Sequence, residues 1–148
     1  MELYFETKTF NQLDVNELYA ILQLRTEIFV VEQDCVFQDM DYKDQKALHV
    51  LGIYNNKIVA YARLFEPGDY YEFASIGRVV INQKYRNKKW GNNLMQYAID
   101  VIKNQFGTRQ ITIGAQLYLE DFYKKQGFIR TSEIYLEDNI KHIEMKLL

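Results

Sequence analysis

Residues 75–95 read SIGRVVINQKYRNKKWGNNLM. A β-branched run, a basic turn and the start of an apolar helical pattern follow one another without a linker. A helix N-terminus presents unpaired N–H groups and a partial positive potential, so a strand-to-helix junction of this kind can hold a phosphate. Arg86, Lys88 and Lys89 add charge, and Gly91 lets the backbone approach a ligand because it has no Cβ. A solvated basic turn with one glycine reads the same way locally, so both readings stand at this point. The spacing matches neither the phosphate loop ending in Gly-Lys-Ser/Thr nor the dinucleotide fingerprint.

Outward from that stretch the chain alternates strands and helices. Residues 3–9 alternate and predict a strand, and Asp14 with Glu17 predicts a capping box opening a helix that runs to residue 32. Its apolar face is built from Val15, Leu18, Leu22, Phe29 and Val30, with Ile21 and Leu24 filling in. The acidic, aromatic stretch DCVFQDMDYKDQ has no period and reads as a loop. Residues 48–54 and 57–65 form a hairpin across Asn55-Asn56, which tolerate the turn geometry it needs. Residues 73–81 supply a further strand. A helix from about residue 92 presents Leu94, Met95, Ala98, Ile99 and Ile102 on one face. Residues 109–116 predict a strand and 119–126 a short helix capped by Gly127. Residues 128–136 and 142–148 then pair through a reversal at Asp138-Asn139. The expected fold is α/β: one domain, residues 1–148, with a mixed sheet covered by helices on both faces.

Composition narrows the function classes. An apolar fraction of 48%, with 12 Tyr and 9 Phe in 148 residues, builds a core without metals or disulfides. The formal charge of −2 gives no field that would gather nucleic acid, so any anion site is local and the expected partners include no nucleic acid. No apolar run reaches the roughly 18 residues a membrane span needs, so no membrane partner is expected. Cys35 is the sole cysteine and there is no secretory leader pattern, which makes cytoplasmic placement the expectation. His49 and His142 sit apart in sequence and, with one cysteine, offer no metal-ligand spacing; no metal is expected. The aromatics leave a homodimer open.

Residues 79–95, VVINQKYRNKKWGNNLM, together with residues 114–128, GAQLYLEDFYKKQGF, resemble the acyl-coenzyme A core of the GNAT superfamily of N-acetyltransferases. The family's pyrophosphate loop runs Arg/Gln, two residues, Gly, one residue, Gly/Ala. Arg86, Lys89 and Gly91 occupy those positions, with lysine replacing the middle glycine. In the second motif Gln116, Leu119, Phe122-Tyr123 and Gly127-Phe128 stand in the family's register. The stretches LRTEIFVVEQDCVFQDMDYKD, AYARL, IGRVV and YLEDNIKHIEM extend the resemblance to the ElaA-type branch over residues 24–145.

The resemblance implies a mostly antiparallel sheet in which one parallel strand pair splays apart to admit acetyl-CoA. Val79, Val80 and Ile81 would face the pantetheine arm. Arg86, Asn87, Lys88, Lys89, Trp90, Gly91 and Asn92 would surround the pyrophosphate, with Gln116, Phe122 and Tyr123 completing the cofactor site. It further implies direct attack of a small-molecule or peptide amine on the thioester, with the Val80 N–H steadying the oxyanion and Tyr123 protonating the thiolate. The general base is not singled out among Glu27, Glu32, Asp39, Asp41 and Glu72; Glu32 and Glu72 are set down as acceptor-site residues. Arg78, a charge inside an apolar strand, needs a carboxylate, a ligand or solvent, and is placed with them. Two competing readings are a catalytically silent acyl-CoA binding module and an RNA-binding module using Lys84, Arg86, Lys88, Lys89 and Trp90.

Overall fold

The computed structural model describes residues 2–148. Strand β1 (Tyr4–Thr9) leads to helix α1 (Val15–Arg25), whose first turn is closed reciprocally: the Glu17 N–H donates to Asp14 and the Asp14 N–H donates to the Glu17 carboxylate. The helix then widens into a π-turn, Thr26–Glu32, rather than continuing as α. Its i to i+5 bonds include the Cys35 N–H donating to the Val30 carbonyl. The buried stripe is Ile21, Leu24 and Ile28, spaced by three and four residues, while Val15 is exposed and Leu18, Leu22, Phe29 and Val30 are half-buried. The face expected from Val15, Leu18, Leu22, Phe29 and Val30 is thus corrected: Ile21 and Leu24, expected only to fill it in, are its centre.

Strands β2 (Leu48–Tyr54), β3 (Lys57–Phe65) and β4 (Ala74–Ile81) run antiparallel, and the β2–β3 turn places Asn55 and Asn56 at φ 54° and 61°. Helix α2 (Trp90–Phe106) buries Leu94, Met95, Ala98, Ile99 and Ile102, the face read from sequence. Strand β5 (Ile111–Gln116) and helix α3 (Glu120–Lys125) follow, then β6 (Ile129–Arg130), β7 (Tyr135–Glu137) and β8 (Ile140–Leu147). The single strand expected over residues 128–136 is divided in two. The Ser132 hydroxyl accepts the Glu144 N–H, so a side chain replaces the ladder bond and the intervening backbone leaves the sheet.

The sheet order is β1-β2-β3-β4-β5-β8-β6, with β7 also on β8. This is the mixed α/β architecture expected. Alternate residues of β2 and β3 feed two cores: Val50 and Ala60 pack toward α2 and α3, Leu51 and Tyr61 toward α1. Among the described residues no helix is long and apolar enough to cross a membrane.

One irregularity organises the rest. Between Tyr61 and Arg63 on β3, strand β4 carries an extra residue, and Arg78 takes φ 50° there. The bulge reverses the side-chain phase, so Ile76 packs toward α2 while Val80, four residues on, packs toward α1. The parallel β4–β5 ladder pairs only Ala74 with Ile111 and Ser75 with Thr112, and beyond Ser75 the two strands part.

Candidate active site

The gap between β4 and β5 opens into a cavity of about 520 Å³. Along β4 it is lined by Gly77, Arg78, Val79, Val80 and Ile81, whose β5-facing backbone groups have no ladder partner. At its upper end stand Arg86, Lys89, Gly91 and Asn92, and across it Gln116, Leu119, Phe122 and Tyr123.

The start of α2 is shaped for an acceptor of N–H bonds. Asp14 caps α1, but no side chain caps α2, so the first-turn amides are left without a side-chain partner at the cavity. Lys89, which replaces the motif glycine, holds φ 59° and ψ 28°, the left-handed conformation glycine would adopt at no steric cost. The lysine therefore keeps the backbone path of the loop. Gly91 matters for a different reason: a Cβ there would stand 3.2 Å from the Phe122 ring. The missing side chain lets α3 approach α2.

Trp90 is placed by its ring partners, stacking on Tyr85 with centroids 5.3 Å apart and meeting Tyr54 at a tilt with centroids 5.2 Å apart, with the Lys88 ammonium over its face. Asn87, Lys88 and Trp90 are not among the cavity-lining residues; Trp90 ties the loop to the β2–β3 turn. The Arg86 guanidinium pairs with Glu32 at 2.7 Å, joining the loop to the π-turn.

Tyr123 is buried at the cavity wall. Burial pushes its phenol well above the ordinary range, with Tyr118 adding to the shift, so it holds its proton near neutral pH. The Phe122 and Phe128 rings meet it edge-on.

Of the acidic candidates, Asp39 and Asp41 are committed to structure. Asp39, 5% exposed, accepts from Arg25 Nε at 2.8 Å and Arg78 Nε at 2.7 Å. Asp41 accepts two bonds from Arg63, and Asp44 joins Arg25 to Arg63. Burial disfavours the Asp41 anion, but the Arg63 guanidinium outweighs it and holds the carboxyl at about 2. Arg78 thus meets a carboxylate, one of the three partners left open by its position, and holds the acidic loop through it. Neither Glu27 nor Glu72 lines the cavity, whereas Glu32 does. His49 is sealed, with Nδ1 against the Tyr61 hydroxyl at 2.6 Å and Nε2 against the Asp44 carbonyl at 2.8 Å. It has no access to a reacting group.

Residue pairs that sequence spacing did not join meet here. Gln33, from the turn after the π segment, exchanges hydrogen bonds with Gln116. Cys35 contacts the Asp138 carbonyl through Sγ at 3.2 Å. His142, isolated in sequence, lines the cavity with its ring stacked on Tyr135 and Nε2 3.4 Å from Glu137. The β7–β8 turn, with Asp138 and Asn139 at φ 50° and 63°, folds this pair inward.

A family model described as acetyltransferase (GNAT) domain matches residues 10–148. The chain belongs to the GNAT acetyltransferase family. Within it, the ElaA-type branch is marked by 41% identity over 137 residues to protein ElaA of Escherichia coli, covering 91% of this chain and 90% of that protein. A UPF0039 protein of Schizosaccharomyces pombe is 42% identical over 147 residues, covering 98% and 97%. Among solved structures, an acyl-CoA N-acyltransferase from Pseudomonas aeruginosa superposes with a TM-score of 0.94 at 36% identity, covering 99% of this chain and all of that one. Crystalline Escherichia coli ElaA superposes with a TM-score of 0.91 at 37% identity, covering 98% and 99%. The GNAT chain described here departs from the motif at Lys89, yet the left-handed backbone at that position is retained.

Proposed function

We propose that this GNAT protein transfers the acetyl group of acetyl-CoA to the nitrogen of a small-molecule or peptide amine, by direct attack with both substrates bound. The observation that carries the reading is a coincidence of three features in one cavity: the unpaired β4 edge, the uncapped start of α2 and the buried, protonated Tyr123. The β4 edge suits the amide-rich pantetheine arm. Backbone N–H groups around Lys89, Gly91 and Asn92 suit the pyrophosphate, with the Lys89 ammonium adding charge.

Binding amine and thioester side by side removes much of the entropic cost of their encounter. The nitrogen forms a bond to the carbonyl carbon, the C–S bond breaks, and the Tyr123 hydroxyl gives the departing sulfur its proton. Val80 pairs with Tyr61, and the Asn82 N–H donates to the Val59 carbonyl, so the Val80 N–H expected in this role turns toward β3; the alternate N–H groups of Val79 and Ile81 would steady the oxyanion instead. Glu32 and Arg78 line the same cavity as Ile28, Phe29 and Phe37, but Glu32, paired with Arg86, stands at the pyrophosphate loop, which leaves Arg78 with the apolar residues for the acceptor.

Titration calorimetry with acetyl-CoA, against free adenine nucleotide, tests the binding half. A panel of primary amines followed by mass spectrometry tests the transfer. Saturable binding that needs the pantetheine arm, with acetylation of at least one amine, is expected. A folded protein that ignores acetyl-CoA would refute the reading, and binding without transfer to any amine would leave the silent binding module in its place.

A further inference from the structure

Direct attack requires a neutral amine, so a group at the acceptor end must take the ammonium proton. The acidic residues first considered are occupied or elsewhere: Asp39 and Asp41 hold guanidinium groups, Glu32 holds Arg86, and Glu27 and Glu72 do not line the cavity. Glu137 and Asp138 also line the cavity, but one uncommitted base there is held in place by both a hydrogen bond and a ring stack. It is His142.

The tautomer follows from the partners. Nδ1 lies 2.7 Å from the Ile140 carbonyl, and a carbonyl only accepts, so Nδ1 carries the hydrogen. In the neutral ring the Nε2 lone pair is therefore the basic position. Nε2 lies 3.4 Å from the Glu137 carboxylate, too long for a strong hydrogen bond. The ring is 6% exposed and stacked on Tyr135 at 5.8 Å, which fixes its plane. A Cβ on Gly114 would stand 3.1 Å from the Tyr135 hydroxyl and 3.3 Å from that of Tyr71, so the glycine makes room for the tyrosine on which the His142 ring stacks.

We infer that His142 is the general base of the transfer, with Nε2 receiving the proton of the acceptor ammonium and Glu137 positioning and balancing the imidazolium. This rests on the amine-transfer reading above. The ammonium N–H bond breaks, its electron pair stays on nitrogen for attack on the thioester carbon, and the proton passes to Nε2 and then to solvent. The second amine proton, released after the N–C bond forms, restores the one Tyr123 gives to sulfur. One acetyl-CoA and one ammonium thus yield one amide, one free thiol and one proton. The titratable groups in contact with the ring are Glu137 and Tyr135 from β7; Glu32 and Cys35 from the π-turn and its following loop and Asp138 from the β7–β8 turn share the cavity wall, while Glu144 lies two residues along its own strand and Tyr71 reaches Gly114 beside Tyr135. Burial, with Glu137 and Glu144 adding to it, pushes the Tyr135 phenol up, so it does not compete as a base.

The test is His142→Asn, whose amide can still donate to the Ile140 carbonyl while the Nε2 lone pair is gone. With 2-phenylethylamine as probe, or the amine of the panel that turns over fastest, kcat/KM near neutral pH is expected to fall by about 100-fold. Acetyl-CoA affinity by calorimetry and the thermal midpoint should stay unchanged. The deficit should shrink to within about threefold near pH 9.5, where the probe amine is substantially deprotonated without help. Added imidazole should restore part of the rate to His142→Ala. Glu137→Gln, on an exposed carboxylate, should lose less than His142→Asn while binding acetyl-CoA normally. A loss that is equal at every pH and resists imidazole overturns the inference and leaves His142 a packing residue. So does full activity of His142→Asn alongside an active wild type. An inactive wild type with normal acetyl-CoA binding overturns the amine-transfer reading first, and this inference with it.

Discussion

Replacing Asp39 by alanine tests the buried charge cluster that joins α1 and the acidic loop to β3 and β4. Arg25 is 0% exposed and Asp39 5%, so their contact at 2.8 Å lies out of water, and Asp39 also holds Arg78 at 2.7 Å. The cluster of Arg25, Arg63 and Arg78 with Asp39, Asp41 and Asp44 is balanced, three charges of each sign. Asp39→Ala leaves it with one uncompensated positive charge, and Arg25 Nε loses its carboxylate. Removing one partner of a buried pair costs about 3–5 kcal/mol. For a chain of this length each kcal/mol lowers the midpoint by about 2–4 °C, so a fall of about 6–20 °C is expected in differential scanning calorimetry. Asp69→Ala, in the turn after β3, should change stability by no more than about 0.5 kcal/mol. Because the cluster is shielded, concentrated salt should not erase the difference. A fall below about 2 °C, or one that disappears in salt, would show that the contacts contribute no more than a surface pair.

Three further outcomes follow from the geometry. Lys89→Gly relieves a left-handed lysine, worth about 1–2 kcal/mol, against the greater freedom of an unfolded glycine, about 0.5–1 kcal/mol; a gain of about 0.5–1 kcal/mol should appear in urea unfolding. Tyr123→Phe removes the proton donor and keeps the ring packing, so kcat should fall by about 100-fold while acetyl-CoA affinity by calorimetry stays within about twofold. Burial holds the His49 imidazole below its ordinary 6.5 despite the Asp44 carbonyl. The unfolded chain then binds a proton that the folded chain refuses, so this group's contribution is full above 6.5 and is lost as pH falls through that value. Urea midpoints should decline from pH 7.5 toward 5.5 in the wild type, and this part of the decline should be missing in His49→Gln.

Local signals carried much of this molecule. The Asp14–Glu17 box, the Asn55-Asn56 and Asp138-Asn139 turns and the apolar face of α2 depend on residues a few positions apart, and each forms where its spacing places it. So do the two family motifs, which meet across the cavity as Arg86, Lys89 and Gly91 on one side and Gln116, Phe122 and Tyr123 on the other. The π-turn was not legible, because TEIFVVE satisfies an α pattern as well as a wider one. The bulge at Arg78 was hidden for the same reason: an extra residue in a strand has no composition of its own, and arginine is an unusual choice for φ 50°.

What the chain by itself determined is therefore the family, most of the elements and the two motifs that meet across the cavity, since those depend on short-range periodicity and motif register. Only the tertiary structure decided which charges are available for chemistry. Asp39 and His142 are both polar residues near apolar neighbours in sequence. Folding brings one against Arg25 and Arg78, where its carboxylate is saturated, and the other beside Glu137 on the cavity wall with one nitrogen facing it. A side chain's protonation and reach are set by what surrounds it in space, and those partners lie 14 and 39 residues from Asp39 along the chain.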